Sequence, residues 1–527
     1  MRDVDRYRPF PPPTRRATLL TAAAAAVVAV LPGRSAGDGR RFDLDALAAR
    51  MRQLARQPPL PAAGGWGAEL GYDDWRRIRF RGDRTRWQVG PAAGGFGLQA
   101  FHPGWLFGDP VRLWDISEGA PRAMAFSAAD FEGAPLGTGG LPADLPADLP
   151  PDLPGVAGFR LLWPLNRAGV RDELAAFLGA SYFRALGAGS AYGLSARGLA
   201  INTAVGRPEE FPRFTDFYFR RPAPGDRSLT VLAALEGPSV TGAYAFDLRP
   251  GRTTLIDVTA RLFFRADVEE LGIAPLTSMF LYDAKNRAAF DDFRPRVHDS
   301  EGLAMLRRDG TPLWRPLNNP ARVASSYFAD PVARFGLHQR DRDFASYQDA
   351  EARYHRRPSV DVEPLGDWGP GMVRLVELPT ALEAEDNIVA FFVPGDGRVA
   401  AGEARDYGWR LRWGDLDEGA EGGLARVAAT RAGQGGVSGV MPSPGLRKFV
   451  VDFEGVDPAA GAPRAVVTCA GGEVQGQVLT PLPEGGGWRL VLDVRAAPGA
   501  VVEMTAHLAG GGRRLSETWL YQWDAAG

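Results

Sequence analysis

The stretch LGIAPLTSMFLYDAKNRAAFDDFRPRVHDSEGLAMLRRDGTPLWRPLNNP, residues 271–320, joins an apolar run to a segment dense in Asp, Arg, Asn and His. The apolar run predicts a buried strand through Leu276, Met279, Phe280 and Leu281. A polar segment that follows a buried strand is where a scaffold usually displays chemistry. Asp299 is therefore the first candidate for a functional residue. Asp386, just before a second apolar run at 388–393, is the other.

Length and composition indicate a globular protein of two or three domains. The chain has 527 residues, of which 45% are hydrophobic and 24% charged, as is usual for soluble proteins. Its 65 glycines and 43 prolines favour many short elements, and therefore β architecture. A net charge of −2 gives no electrostatic reason to expect nucleic acid as a partner.

The composition also bears on metals and cofactors. A single cysteine, Cys469, excludes an internal disulfide and a cysteine-based metal site. The five histidines are scattered, so a histidine-built centre is not expected either. The glycines between residues 178 and 203 do not form a phosphate loop, because no Lys-Ser/Thr pair follows them. We expect neither a metal nor a cofactor.

The N-terminus, residues 1–37, is interpreted as a signal peptide. Arg15 and Arg16 precede an uncharged run at 17–31 that is too short to span a membrane but suits a signal core. A twin arginine in this position is typical of a Tat signal. The alternative is an arginine-flanked Sec signal. Both predict export from the cytoplasm.

The rest of the chain predicts β-sandwiches. A helix is expected at 42–57, a Pro-rich surface loop at 141–154 and a short helix at 172–178. Short strands without strand–helix alternation then predict a large antiparallel sandwich over 38–395. Evenly spaced strands after residue 440 predict an immunoglobulin-like sandwich over 396–527. The fold class is all-β.

Several sequence blocks carry a resemblance to a known family. The chain resembles the periplasmic glucan biosynthesis proteins G and D of the osmoregulated periplasmic glucan system, from residue 42 onward and most densely over 178–393. The twin arginine is more similar to the D branch. The blocks are LGASYFRALGAGSAYGLSARGLAI (178–201), EEFPRF (209–214), APLTSMF (274–280), RPRVHDSEGL (294–303), WRPLNNP (314–320), FGLHQRDRDFASYQD (335–349) and EDNIVAF (385–391).

The resemblance implies a fold and an activity. The fold is a large carbohydrate-active supersandwich followed by a smaller immunoglobulin-like domain. The activity is that of an inverting endo-β-1,2-glucanase, with Asp386 as general acid and Asp299 as general base. In inverting glycosidases the two carboxyl groups stand roughly 6.5–9.5 Å apart, which leaves room for a water.

The residues themselves agree in part with these roles. Asp386 lies beside an apolar strand, where desolvation is expected to favour its protonated form. Asp299 is flanked by Arg296 and His298, which are expected to keep it ionised. The alternative is that both acids cap turns at strand ends.

A glucan also needs aromatic faces and planar hydrogen-bond donors. Core packing is the alternative for each aromatic, although the segment around Tyr354 looks too charged for a core. His298 is expected to orient its neighbour. The candidate substrate-binding residues are Tyr354, Trp314, Arg184, Tyr182, Tyr192, Asn318, Arg340 and His298, with Arg315 and Asn319 as further donors.

Two other functions stay open. A relative that excludes water transfers the chain and forms a cyclised β-1,2-glucan. A non-catalytic protein would hold glucan for the membrane glucosyltransferase, using its acids only for hydrogen bonds. The family also suggests a homodimer. The segment 395–423 departs most from the family pattern, so the identity of any loop that covers the cleft stays open as well.

Overall fold

The computed structural model describes residues 41–59, 70–87, 95–133, 153, 155–329, 331–416, 423–437, 439–440, 443–456 and 461–525. The predicted signal peptide and, apart from residue 153, the predicted Pro-rich loop lie outside these residues. In chain order the helices and strands are α1 (Leu44–Leu54), α2 (Tyr72–Trp75), β1 (Ile78–Phe80), β2 (Gly97–Phe101), β3 (Arg112–Asp115), β4 (Arg122–Ala123), β5 (Phe131–Gly133), β6 (Gly158–Arg167), β7 (Val170–Leu178), β8 (Tyr182–Ala185), β9 (Ser195–Arg197), β10 (Ala200–Ile201), β11 (Arg213–Phe219), β12 (Leu229–Glu236), β13 (Val240–Arg249), β14 (Thr254–Phe264), β15 (Leu271–Ser278), β16 (Phe280–Tyr282), β17 (Val297–His298), β18 (Gly302–Arg307), β19 (Pro312–Pro316), β20 (Ala324–Phe328), β21 (Val332–His338), β22 (Ser359–Pro364), β23 (Gly371–Glu377), β24 (Ile388–Pro394), β25 (Ala404–Gly414), β26 (Arg426–Gln434), β27 (Leu446–Glu454), β28 (Arg464–Ala470), β29 (Glu473–Pro481), β30 (Trp488–Arg495), β31 (Val501–Gly510), β32 (Arg513–Arg514) and β33 (Thr518–Asp524).

Two large sheets form the main sandwich. The first has the order β2-β6-β7-β8-β9-β15-β24-β23-β20, with β10 also paired to β15. The second runs β28-β31-β33-β19-β18-β21-β22-β25-β14-β13-β12-β11-β3-β4, with β32 paired to β31. The prediction of an all-β protein built from sandwiches is confirmed.

The alternation of side chains explains how the sheets pack. Along β14, Ile256, Val258 and Leu262 are fully buried, while Asp257 faces the other side and pairs with Arg410 of β25 at 2.7 Å. This period of two is typical of a strand with one face on a core. The same core takes apolar side chains from both sheets, and ring contacts such as Phe177–Phe246, 5.2 Å between centroids, join them.

The helix predictions had different outcomes. The expected helix at 42–57 is confirmed as α1, which Asp43 caps by accepting a hydrogen bond from Ala46 N, and which packs Leu47 and Met51 on the long sheet. The short helix expected at 172–178 is wrong. This segment is β7, paired with β6 and β8, because its apolar side chains fill the sandwich core.

A second, smaller core lies under the last hundred residues. The four-stranded sheet β26-β27-β30-β29 faces β28, β31 and β33, and Phe449, Leu492 and Trp519 are fully buried between them. β33 pairs in parallel with β19, so one long sheet serves both cores. β25 also pairs within this sheet. The domain ranges 38–395 and 396–527 stay predictions. No helix among the described residues is long and apolar enough to cross a membrane.

Candidate active site

Asp299 and Asp386 lie at the same end of β15. The backbone amide of Asp299 donates to Met279 O at 2.8 Å. The next residue, Phe280, exchanges two hydrogen bonds with the side chain of Asn387, at 2.8 and 3.0 Å. Asn387 directly follows Asp386 and is buried. Consecutive residues of one segment therefore anchor both aspartates.

Asp299 is a buried carboxylate with one charged neighbour. Its side chain is 11% exposed, and Oδ1 lies 3.4 Å from Nη1 of Arg357. Burial raises the pKa of Asp299 to about 6, Arg357 opposes this shift, and the charge of Asp386 adds to it. The charge of Asp386 is thus close enough to affect the ionisation of Asp299.

The residues next to Asp299 in sequence do not set its charge state, contrary to expectation. Arg296 instead pairs with Asp341 at 2.8 Å. His298 is fully buried, stacks on Phe280 and contacts Gln339 through Nδ1 at 2.9 Å. Burial lowers the pKa of His298 to about 3, so this ring is neutral. The role of His298 as an orienting neighbour of Asp299 stays a prediction.

Asp386 is exposed, so the expectation that it is desolvated beside the apolar strand is wrong. The inward position at this turn is taken by Asn387, and burial begins there. Two contacts hold the preceding segment: Thr380 Oγ1 donates to Glu385 at 2.6 Å, and Arg294 pairs with Glu383 at 2.6 Å. Asp386 therefore sits on a fixed turn that opens to solvent.

Three of the predicted binding residues come together with the aspartates. The charge of Asp386 contributes to raising the pKa of Tyr182, whose main cause is burial. Arg184 acts on the pKa of Asp299 and donates through Nε to Ser195 at 2.7 Å. Tyr192 donates to Glu173 at 2.9 Å, and its carbonyl accepts from Arg357. Tyr182 and Arg184 lie on β8, and Tyr192 lies in the segment that follows it.

Tyr354 lies beside Asp299, but its ring is not a surface platform. It is 2% exposed and packs with Met279 and Tyr347, contrary to the expectation drawn from its charged segment. The surrounding arginines point elsewhere or stack on the ring, as Arg357 does at 5.0 Å. Burial, with the charge of Asp299 as the second cause, raises the pKa of Tyr354 far above its ordinary value.

The remaining predicted residues lie at the junction of the two cores. Trp314 is 2% exposed and packs into the smaller core, with Arg340 stacked 3.6 Å above its ring. Gly302 permits this, because a Cβ there would stand 2.3 Å from the ring. Arg340 pairs with Glu517. Asn318 lines a groove at the junction.

The two further donors lie at this junction too. Arg315 pairs with Glu377 at 2.9 Å, and both side chains are almost fully buried. The amide of Asn319 donates to Leu281 O and to Thr380 O. Both side chains are therefore already engaged in contacts within the protein.

Sequence reasoning missed two arginines. Arg357 contacts Asp299, Tyr354 and Tyr192. Arg197 stacks between Tyr182 and the half-exposed Phe211, at 4.8 and 5.4 Å. The signal for Arg357 was its position three residues after Tyr354 in ARYHRRPS, but three arginines share that segment.

The arrangement suits proton transfer at an uncharged polymer. One carboxylate is buried, the other exposed, and tyrosines and arginines surround both. Paired carboxylates in unlike environments are a common basis of acid–base catalysis. Among the described residues, no group of three or more His, Cys, Asp or Glu side chains is placed to hold a metal ion.

Comparison with known proteins gives the relatives of this chain. A family model described as "Periplasmic glucan biosynthesis protein, MdoG" matches residues 42–523. "Glucans biosynthesis protein G" of Cereibacter sphaeroides is 56% identical over 92% of this chain and 90% of its own length. The protein of the same name from Rhodopseudomonas palustris is 44% identical over 90% and 91%. "Glucans biosynthesis protein D 1" of Ralstonia nicotianae is 45% identical over 90% and 88%. Both G and D proteins match, so the assignment to the D branch stays a prediction.

Proposed function

The chain belongs to the periplasmic glucan biosynthesis protein family, and on this premise we propose that it is an inverting endo-β-1,2-glucanase acting on the glucan backbone. One observation carries the proposal. Asp299 is a buried carboxylate that forms an ion pair with Arg357, and the charge of the exposed Asp386 contributes to raising its pKa. Strongly shifted carboxyl groups of this kind cluster at functional sites.

Asp299 is the general base. It takes a proton from a water molecule while the water oxygen bonds to the anomeric carbon, and the C1–O bond breaks with inversion. A pKa of about 6 makes it a stronger base than an ordinary aspartate, yet it is mostly ionised at pH 7. The Arg357 guanidinium limits the rise, so the base keeps its charge.

Asp386 is the general acid and gives its proton to the departing glycosidic oxygen. Asp386 is exposed, so we expect a bound chain to cover it and exclude water when it acts as the acid. The position of Asp386 favours its coverage by a bound chain, because Arg294 and Thr380 hold the segment that precedes it. The acid role thus depends on substrate more than the base role does.

The surrounding side chains bind the sugar rings. Tyr182 and Phe211, with Arg197 between them, offer an extended stacking surface near Asp386. Arg184 offers donors for hydroxyl groups. Tyr354 remains a neutral phenol at any working pH and can donate a hydrogen bond beside Asp299.

The test is incubation of the purified protein with linear β-1,2-glucan, with products resolved by size and by anomer, beside Asp386→Asn. Shortened chains of inverted anomer from the native protein, and none from the variant, are expected. Products that resist exo-acting enzymes would identify the cyclising transferase. If both proteins bind glucan and leave it intact, the catalytic proposal is wrong, and the protein holds glucan, for instance for the membrane glucosyltransferase.

A further inference from the structure

A groove of about 810 Å³ lies between the main sandwich and the smaller one, away from the aspartates. The main sandwich contributes the segments after β16, β19 and β23. The smaller one contributes β26, β27 and β33. The described residues that shape its chemistry are Phe290, Asn318, Gln434, Arg447, Tyr521 and Trp523.

Most charged side chains of the groove have partners of opposite charge, and the exception is Arg447, whose guanidinium donates to Lys285 O at 3.2 Å. Lys285 pairs with Asp283, Glu377 with Arg315, and Asp524 with Arg322. An ionic ligand would have to compete with these pairs. What the groove offers is amides and aromatic rings, which suit an uncharged, hydroxyl-rich molecule with an apolar face.

Two neighbouring asparagines show that the groove has unused hydrogen-bonding groups. The side chain of Asn319 binds Leu281 O and both backbone groups of Thr380. In contrast, the side-chain amide of Asn318 has no hydrogen-bond partner within the described part of the chain, although its backbone N–H donates to Glu377 at 2.6 Å. The backbone of Asn318 is therefore fixed, and its amide is left available at the groove wall.

The groove wall is connected to the segment that carries Asp386. Asn319 binds Thr380, and Thr380 Oγ1 donates to Glu385, the residue before Asp386. Both Asn319 and Thr380 also line the groove. A chain lying in the groove would thus contact Asn319 and Thr380, which are hydrogen-bonded to the segment that precedes Asp386.

We propose that this groove is a second glucan-binding site, which holds a distant part of the same β-1,2-glucan chain that enters the site at Asp299 and Asp386. This inference rests on the proposed function. The glucan is uncharged and rich in hydroxyl groups, which suits the amides of Asn318 and Gln434 and the Arg447 guanidinium, and Trp523 provides a half-buried ring face. A chain long enough to reach both sites gains affinity because its second contact is intramolecular.

The experiment measures binding by calorimetry in full-length Asp386→Asn protein, which separates binding from turnover. The ligands are a long linear β-1,2-glucan and a short β-1,2-linked oligosaccharide. Trp523→Ala is expected to weaken binding of the long glucan about tenfold, and to weaken binding of the short one much less. Trp488→Ala is the matched control, because Trp488 is also half-buried against the smaller core and does not line the groove.

A second variant guards against misfolding. Gln434 is exposed at the groove and its side chain has no hydrogen-bond partner among the described residues, so Gln434→Ala is expected to fold and to weaken long-chain binding in the same direction. Unchanged long-chain binding in both variants would overturn the groove proposal alone. A change only in self-association, followed by sedimentation, would overturn it in favour of a protein contact. Absence of any glucan binding in the Asp386→Asn protein would overturn the proposed function as well.

Discussion

The molecule buries carboxylates in two regions, and it treats them differently. At the junction of the two cores, Glu517 accepts from both terminal nitrogens of Arg340, at 2.6 and 3.1 Å, and from Val427 N. Glu377 is satisfied in the same way by Arg315 and by Asn318 N. Asp299 has only Arg357 at 3.4 Å within the described residues.

The difference distinguishes a packing role from a chemical one. A buried charge whose oxygens are all hydrogen-bonded fixes the geometry of its surroundings, and removing one partner strands the other. A buried carboxylate left with unused oxygens is costly, and such cost persists where function requires it. We therefore expect mutations at the junction to affect stability, and mutations at Asp299 to affect activity.

The largest expected effect is at Asp299. Asp299→Asn keeps the size of the side chain but cannot accept a proton, so turnover of linear β-1,2-glucan should fall by about 10³-fold or more. The free energy of unfolding should stay the same or rise, since the variant removes a buried charge. Product assays and urea unfolding of the same preparations check both statements. A variant that is both inactive and strongly destabilised would show that Asp299 has a structural role like that of the junction carboxylates.

At the junction the expected effect is on stability. Glu517→Gln removes the carboxylate that accepts from both terminal nitrogens of Arg340 and replaces it with a neutral amide, which should lower the free energy of unfolding by about 3–5 kcal/mol. The control is Glu363→Gln, whose partner Arg412 is 40% exposed, and which should cost about 1 kcal/mol or less. Urea midpoints measure both. Equal midpoints for the two variants would show that the buried pair does not hold the cores together.

The pH dependence of the free energy of unfolding is a further test of how Asp299 differs from the junction carboxylates. The unfolded chain releases the Asp299 proton near its ordinary pKa of 3.8, whereas the folded protein holds it to about 6. The folded state then binds more protons, so the free energy of unfolding falls as the pH rises through this window, by about 2–3 kcal/mol. The Asp299→Asn variant should lack this fall. Identical pH profiles of unfolding would contradict the shifted pKa.

The proximity of the two candidate aspartates could be predicted because its sequence signals are local. Asp299 and Asp386 each adjoin an apolar strand, and Tyr182, Arg184 and Tyr192 fall in one short block. Residues that are close in sequence in this way also lie close together in the folded protein. The exposure of Asp386 did not follow, because an adjacent apolar run does not reveal that Asn387 takes the inward position.

The junction residues were misplaced for a different reason. Trp314, Arg340 and Asn318 were predicted from their residue types, because a glucan needs aromatic faces and planar donors, and residue type does not reveal where a side chain lies. Their actual partners come from the C-terminal end: β33 pairs in parallel with β19, and Glu517 precedes that strand. A pairing across about two hundred residues has no local signal in one sequence.

The smallest expected effect tests the ion pair between Asp299 and Arg357. The Arg357 guanidinium holds down the raised pKa of Asp299, so Arg357→Gln should raise it further. The acid limb of kcat/KM against pH should then move upward by about one unit. Arg356→Gln is the matched control, because Arg356 donates to Gly189 O and does not contact Asp299. An acid limb that stays in place in Arg357→Gln would mean that Asp299 is not the group that this limb reports. The proposed catalytic role of Asp299 would then lose its support, whereas the stabilising role of the buried pairs at the junction would not be affected.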